Sequence, residues 1–420
     1  MKIVILATRI SGLDGVSLEA EHWGEVLQGM GHKVKLVAGA LDREGVIIPE
    51  LHFNHPEVVK IHDRVVYGKE NYKKVEAETF ALAGKIEGKL RQAFYNYSRA
   101  DLLIVPNALS LPMHFPLAVA LSRVIEELNI PTIARHHDFW WERKRFLHSS
   151  MFEFFKRWFP PNLPNIQHVV INSLAQGELK NRLGIASEVI WDSFNFDNKL
   201  NIPDTYSKNF RGDFDLNDDD VIFLQASRIV PRKRIELSIE LVRKLRNPKV
   251  VLVIAGHAGD EAGEYEKHLR MQCRESGIRH KFVGKYVNSR RRVVRQLAGR
   301  GERRRVYTLW DAFVNSDFVT YPTKTEGFGN QFVESVYFKK PIILTPYSVY
   351  KKDIKPLGFS TIEMSEKIGD NTINQINSLI ASSMEREKMV ESNFKLGERY
   401  FSYKWVEKKF EKIFKNMKLD

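Results

Sequence analysis

Several absences bound the reading. The chain of 420 residues has one cysteine, Cys273, which excludes an internal disulfide and fits a reducing compartment, so a cytoplasmic location is expected. No run of about 18 apolar residues occurs, and no membrane-spanning helix is expected. MKIVILATRI at the N-terminus has a short apolar run and no small-residue cleavage site. It reads as a first buried strand and not as a signal peptide. No His/Cys group has zinc spacing, and no repeat recurs at a solenoid period.

What is present describes a globular chain long enough for two ordinary domains, with 43% hydrophobic and 28% charged residues. The net charge of +13 favours anionic partners: nucleic acid, anionic lipid or a phosphorylated small molecule. Much of it sits in Arg290–Arg305, RRRVVRQLAGRGERRR, which holds eight arginines and one acid. A solvated surface is the plain reading; no aromatics interleave for base stacking, so no nucleic-acid partner is expected. Apolar strand-like runs alternate with helix-length segments: Ile3–Ala7, Val34–Ala38, Leu102–Val105, Thr132–Ala134 and Val169–Ile171. The rhythm lapses over Ser193–Asp220, then resumes with Val221–Ala226, Val250–Ala255, Phe282–Gly284, Phe318–Tyr321 and Ile342–Leu344. Such alternation predicts an α/β fold of two lobes with parallel strands joined by crossover helices. Asn217–Asp220 could bind a hard cation, but in a turn-rich stretch these are ordinary turn formers.

Residues with chemical potential cluster after the expected strands. In TEGFGNQFVESVYFKKPII, Glu326 and Glu334 flank the bend Gly327–Phe328–Gly329. Glycine lets backbone approach a ligand, Asn330 is expected to cap the next helix, and free N–H groups there suit an anion. The two carboxylates could accept from a sugar's hydroxyls and a ribose's. ASRIVPRKRIEL places Arg228 and, five residues on, Lys233 after a strand. GLDGVSLEA offers Gly12, Asp14 and Gly15 as a turn, with Ser17 as the expected cap. This spacing is not the GxGxxG dinucleotide fingerprint, so a dehydrogenase loses its main support. In ARHHDFWWERKRF, His137 and Asp138 follow a strand, and Arg135, Glu142, Arg143 and Arg145 either read an acceptor's acidic group or form surface salt links. Asn107 and His114 are further candidates in a loop with Pro106 and Pro112.

EGFGNQFVE, with its Glu-x7-Glu spacing, resembles the signature of the family-4 retaining glycosyltransferases, and the other motifs fall in that family's order over nearly the whole chain. The resemblance implies a GT-B fold, two Rossmann-like lobes facing across a cleft. An acceptor lobe would span 1–195, a linker 196–215 and a nucleotide-sugar lobe 216–399, with the helix in FSYKWVEKKFEKIFKNM (400–420 region) crossing back onto the first lobe. Amphipathic membrane binding is the rival for that helix. The resemblance implies Arg228 and Lys233 on the donor diphosphate, whose developing charge needs fixed cations. It also puts Glu334 on ribose, Glu326 with Gly327, Phe328, Gly329 and Asn330 on the sugar, and Gly15 near the donor. His137 would contact the transferred sugar, with Asp138 orienting its ring; Asp14, Asn107, Asp138 and Arg143 would meet the acceptor. No metal or cofactor is expected beyond the nucleotide-sugar co-substrate. The base would lie against 256–263 and the segment after Gly284. DGVSLEAEHW, ELHFNHPEV, VPNALSLPMHFPLAVAL, RHHDFWWER and YPTKTEGFGNQFVES are similar to a subgroup that makes mannosylglucosylglycerate-type compatible solutes, moving mannose from GDP-mannose to a small anionic glycoside. A UDP-glucose-type transferase acting on lipid or polysaccharide, and a non-catalytic nucleotide-sugar binder, are the alternatives.

Overall fold

The computed structural model describes residues 1–12, 14–68, 70–96, 100–147, 149–257, 263–295 and 303–419. The middle of the arginine-rich segment and most of the 256–263 loop lie outside the described residues. The chain divides into two compact units, Met1–Ser193 with Tyr403–Asp420, and Phe194–Ser402.

The first unit is built on seven strands: β1 (Lys2–Ala7), β2 (Lys33–Ala38), β3 (Val46–Ile47), β4 (Leu102–Pro106), β5 (Thr132–His136), β6 (Ile166–Val170) and β7 (Glu188–Val189). Their order is β3-β2-β1-β4-β5-β6-β7, and every pairing is parallel. Helices cover both faces, which is why the strands read as unbroken Val/Ile/Leu runs instead of alternating ones. Val4, Leu6, Leu103 and Val105 point into one core with the helix Phe115–Glu127; Ile3, Ile5 and Ile104 point into the other with Trp23. The C-terminal helix Tyr403–Met417 belongs to this unit and buries Val406, Phe410, Ile413 and Phe414. Phe410 meets Trp23 edge-on at 4.8 Å. The apolar stripe that a membrane helix would need is therefore in the core.

The second unit carries β8 (Val221–Gln225), β9 (Val250–Ile254), β10 (His280–Phe282), a separate antiparallel hairpin of β11 (Arg292–Arg295) and β12 (Arg303–Val306), β13 (Phe318–Tyr321), β14 (Ile342–Leu344) and β15 (Ile362–Glu363). The six-stranded sheet runs β10-β9-β8-β13-β14-β15, again all parallel. The stretch expected as a linker, 196–215, is instead folded into this unit. Phe210 and Phe214 are buried against the Tyr307 ring, and the Tyr206 hydroxyl donates to the Val306 carbonyl at 3.0 Å. Its polar composition hid three aromatic anchors. The flanking arginines are also engaged within the unit: Arg291 with Asp204 and Asp311, Arg305 with Asp213, and Arg304 stacked 4.1 Å from the Tyr286 ring centre. Asp220 is held by Arg279 and by the Asn217 N–H, so Asn217–Asp220 is a turn. No described helix is long and apolar enough to cross a membrane.

Candidate active site

In the second sheet the direction of winding reverses between β8 and β13, which lie side by side. Loops leaving adjacent strands at such a switch point diverge and leave a crevice for a ligand. The sequence places cations on the first of these loops and a carboxylate on the second. Pro231–Lys233 makes a single tight turn, and Arg234, at φ +48°, leads into the helix Ile235–Leu245. The Lys324 N–H donates to the Arg232 carbonyl at 2.9 Å, which ties the loops together. Across that tie, Lys233 Nζ donates to Glu326 Oε1, Thr323 Oγ1 donates to the same oxygen at 2.7 Å, and Arg232 Nη1 reaches Oε2 at 3.3 Å.

Lys233 and Glu326 are the buried pair here, with side chains 9% and 10% exposed. Burial alone would raise the carboxyl pKa of Glu326, but the charges of Lys233 and Arg232 outweigh it and hold the group ionised, below its usual range. Burial lowers the Lys233 ammonium, with Arg232 and Arg228 adding to the effect against the pull of Glu326. Arg228 is exposed, and among the described residues no ion pair holds it. Beneath the loops lies a buried hydrogen-bonded floor. Gln225 donates to Ser227 at 2.7 Å and accepts from Ser238 and Thr320, while Gln331 donates to the Thr320 carbonyl. Within this network Gln331 Oε1 is buried without a hydrogen-bond partner among the described residues.

The glycine bend differs from expectation at three points. Gly329, not Asn330, caps the helix Asn330–Tyr337, at φ +129°. A Cβ there would fall 2.6 Å from the Tyr347 hydroxyl, so both conformation and space require glycine. Phe328 is buried edge-on to Phe401 and offers a ligand only its backbone, whose carbonyl already accepts from Tyr347. Glu326, expected to face sugar hydroxyls, has its oxygens turned to Lys233, Arg232 and Thr323. Gly327 is exposed, and Glu334 lies half-buried one turn into the helix.

In the first unit, Asn107 ends β4 at φ +58°. Its Oδ1 accepts from the His137 and Asp138 N–H groups, each at 3.1 Å, so it joins the β4 and β5 loops. Asp138 does not orient the His137 ring; its carboxylate accepts from Arg143 at 2.7 Å. His137 Nε2 is buried and has no hydrogen-bond partner among the described residues. Burial, with the Arg135 guanidinium nearby, pushes its pKa down to about 3, so the ring is neutral at pH 7. Arg135 reads no acceptor: it is buried between Glu19 at 3.0 Å and Asp192 at 3.1 Å, over the Trp23 ring. His114 is likewise closed, capping the helix Phe115–Glu127 and bonded to the Glu50 carbonyl at 2.9 Å. Asp14, not Ser17, caps the helix Gly15–Gly29; it accepts from the Ser17 N–H and from Arg9, and Gly15 is the first helical residue. Arg232 and Thr323 were not singled out from sequence, although the run Arg232–Lys233–Arg234 carried a signal for the first.

Two parallel-sheet Rossmann-like units, with cations gathered at the switch point of the second, define a GT-B glycosyltransferase. Residues 207–395 match the family model described as glycosyl transferases group 1. The chain is 32% identical to the mannosylglucosylglycerate synthase of Thermotoga maritima, over 97% of this chain and 98% of that one. It is 34% identical to the mannosylglucosylglycerate synthase of Petrotoga mobilis, over 87% of each. The chain therefore belongs to the group 1 glycosyltransferases and is a hexosyltransferase. Among solved structures, sucrose-phosphate synthase from Thermosynechococcus elongatus matches with a TM-score of 0.70 at 12% identity over 99% of both chains. Anabaena HepE, crystallised with UDP and glucose, matches with 0.66 at 14% identity over 99% of this chain and 100% of that one. Both share the fold.

Proposed function

We propose that the chain moves mannose from GDP-mannose to a small anionic glycoside of the glucosylglycerate type, with retention and without a metal ion. The carrying observation is the convergence of Lys233, Arg232 and Glu326 at the switch point, with Arg228 beside them and open. The product named for the two sequence relatives supports mannose and the acceptor class. Arg228 and Lys233 grip the diphosphate, Arg232 adds a third positive charge, and Glu334 accepts from ribose. Glu326 holds Lys233 and Arg232 in place beside the sugar, and the Gly327–Gly329 backbone lets the sugar come close. His137, neutral and with a free Nε2, hydrogen-bonds a hydroxyl of the transferred sugar. Asp14, Asn107, Asp138 and Arg143 serve the acceptor, and Arg143 is the cation that meets its carboxylate. In the reaction the bond from the anomeric carbon to the diphosphate oxygen breaks, and the acceptor hydroxyl attacks on the same face. Its proton passes to the leaving diphosphate, and fixed cations stabilise the charge that develops there. The partners are thus two small molecules, with no nucleic acid, in the cytoplasm.

The test is transfer by Arg228→Ala and Lys233→Ala. Loss of a fixed donor to a developing anion costs on the order of 2.7–4 kcal/mol, or 10²–10³ in turnover. Near-normal transfer by both variants would overturn the assignment.

A further inference from the structure

Three consecutive cations on the β8 loop are spent on the loop that follows β13. Arg232 Nη1 donates to the Thr325 carbonyl at 3.0 Å as well as reaching Glu326, and Lys233 donates to Glu326. Arg234 goes elsewhere. Its Nε donates to the Pro322 carbonyl at 3.0 Å, directly after β13, and its Nη1 to the Glu366 carboxylate at 2.8 Å. With the Lys324 N–H on the Arg232 carbonyl, the two loops are laced together at residues 322, 324, 325 and 326.

The backbone of Arg234 stands out. At φ +48° and ψ +47° it lies in the left-handed region, where a side chain crowds the following carbonyl and glycine is favoured. Arg246, Lys339 and Lys418 adopt the same region at the ends of helices, where it is a common way to stop one. Arg234 adopts it at a helix start. The Arg234 N–H closes the tight turn on the Pro231 carbonyl at 3.0 Å, and its own carbonyl accepts from the Leu237 N–H at 2.9 Å to open the helix Ile235–Leu245. Glycine would meet this geometry without strain; an arginine meets it at a cost. Strain persists where surrounding contacts hold it, and it collects where a side chain has a task. Here those contacts are the two acceptors of a guanidinium that is only 14% exposed.

We infer that Arg234 is a positioning residue for sugar transfer: its guanidinium fastens the loop carrying Arg228, Arg232 and Lys233 to the end of β13. The cations are then in place before charge develops on the leaving diphosphate. Groups that must be gathered during a reaction stabilise such charge less than fixed ones. Arg234 acts through Arg232 and Lys233 and not on the substrate. The inference rests on the donor site proposed above and adds the residue that holds that site's cations together.

Arg234→Gly tests it, because glycine accepts the left-handed backbone and only the guanidinium is lost. With GDP-mannose and glucosylglycerate as substrates, kcat should fall about tenfold, the weight of one hydrogen bond. Added ethylguanidinium, which fits between the Pro322 carbonyl and Glu366 once the side chain is gone, should restore turnover severalfold; ethylammonium at the same concentration should not. Exchange of the Lys324 N–H, bonded to Arg232 across the two loops, should quicken in the variant and slow again with ethylguanidinium. Near-normal turnover in Arg234→Gly would overturn the inference, as would a loss that ethylguanidinium leaves unrestored. So would an unchanged Lys324 exchange rate, whatever the turnover. If the unmodified chain transfers nothing from GDP-mannose, the substrate reading fails, and the exchange rate alone then decides whether Arg234 ties the loops.

Discussion

The loops at the carboxyl ends of β4 and β5 and those at the ends of β8 and β13 serve sheets of the same parallel design, yet they treat charge in opposite ways. In the first unit the arginine nearest the loop, Arg135, is sealed between two acids, and the histidines are neutral. In the second, Arg228 is open and Lys233 shares a buried pair with Glu326 on which Arg232 also converges. A neutral end made of hydrogen-bonding groups suits hydroxyls. A cationic end suits a diphosphate. The topology supplies the two ends, and the side chains decide what each can bind.

Acid should separate the units most strongly. Burial drives His114 and His168 of the first unit down to about 4 and His137 to about 3. The unfolded chain takes up these protons near pH 6.5 and the folded chain does not, so stability falls as pH drops from 6.5 towards 4. The loss is on the order of 3 kcal/mol for each fully buried ring. In the second unit the depressed groups include Glu326 and Asp204, the latter at about 2. Their contribution is present above the ordinary carboxyl range and is lost only as pH falls through the lower, folded-state values. Hydrogen exchange followed against pH should show first-unit amides losing protection before second-unit ones. Simultaneous loss at pH 3 would break the contrast.

Next in size is Glu326→Gln. Neutralising the carboxylate releases Lys233, so the variant should bind nucleoside diphosphate as well as or better than the unmodified chain, while turnover falls about a hundredfold. Weakened nucleotide binding would contradict the role given to this carboxylate. Gly329→Ala should destabilise the second unit by roughly 1–3 kcal/mol, with partial rescue by Tyr347→Phe, which removes the nearest obstacle. Thermal unfolding of the single and double variants checks this. The smallest effect is expected from Asn107→Ala, about 1–2 kcal/mol from two lost hydrogen bonds. Exchange rates should rise at the His137 and Asp138 amides and not at the 322–329 loop.

Sequence and structure agree wherever burial writes a local pattern. The strands Phe318–Tyr321 and Ile342–Leu344 have the boundaries expected of them, because apolar runs bounded by polar turns leave little choice. The motif order, and with it the family, was legible too. What side chains do at those positions was not. Arg135 and Arg143 lie eight positions apart and look alike in the sequence: one is enclosed by Glu19 and Asp192, the other exposed beside Asp138. Asn107 reads from sequence as a ligand contact, while its two bonds to residues 30 and 31 positions away depend on the pairing of β4 with β5. Likewise, no local signal in 196–215 announces that Phe210 finds Tyr307.

The central claim is that the cations at the end of β8 bind a diphosphate. Its most direct test is calorimetry on the Arg228→Ala, Lys233→Ala double variant with GDP and, as a control lacking phosphate, guanosine. The account predicts that GDP affinity falls more than a hundredfold while guanosine affinity is unchanged. GDP binding that survives both substitutions would contradict it.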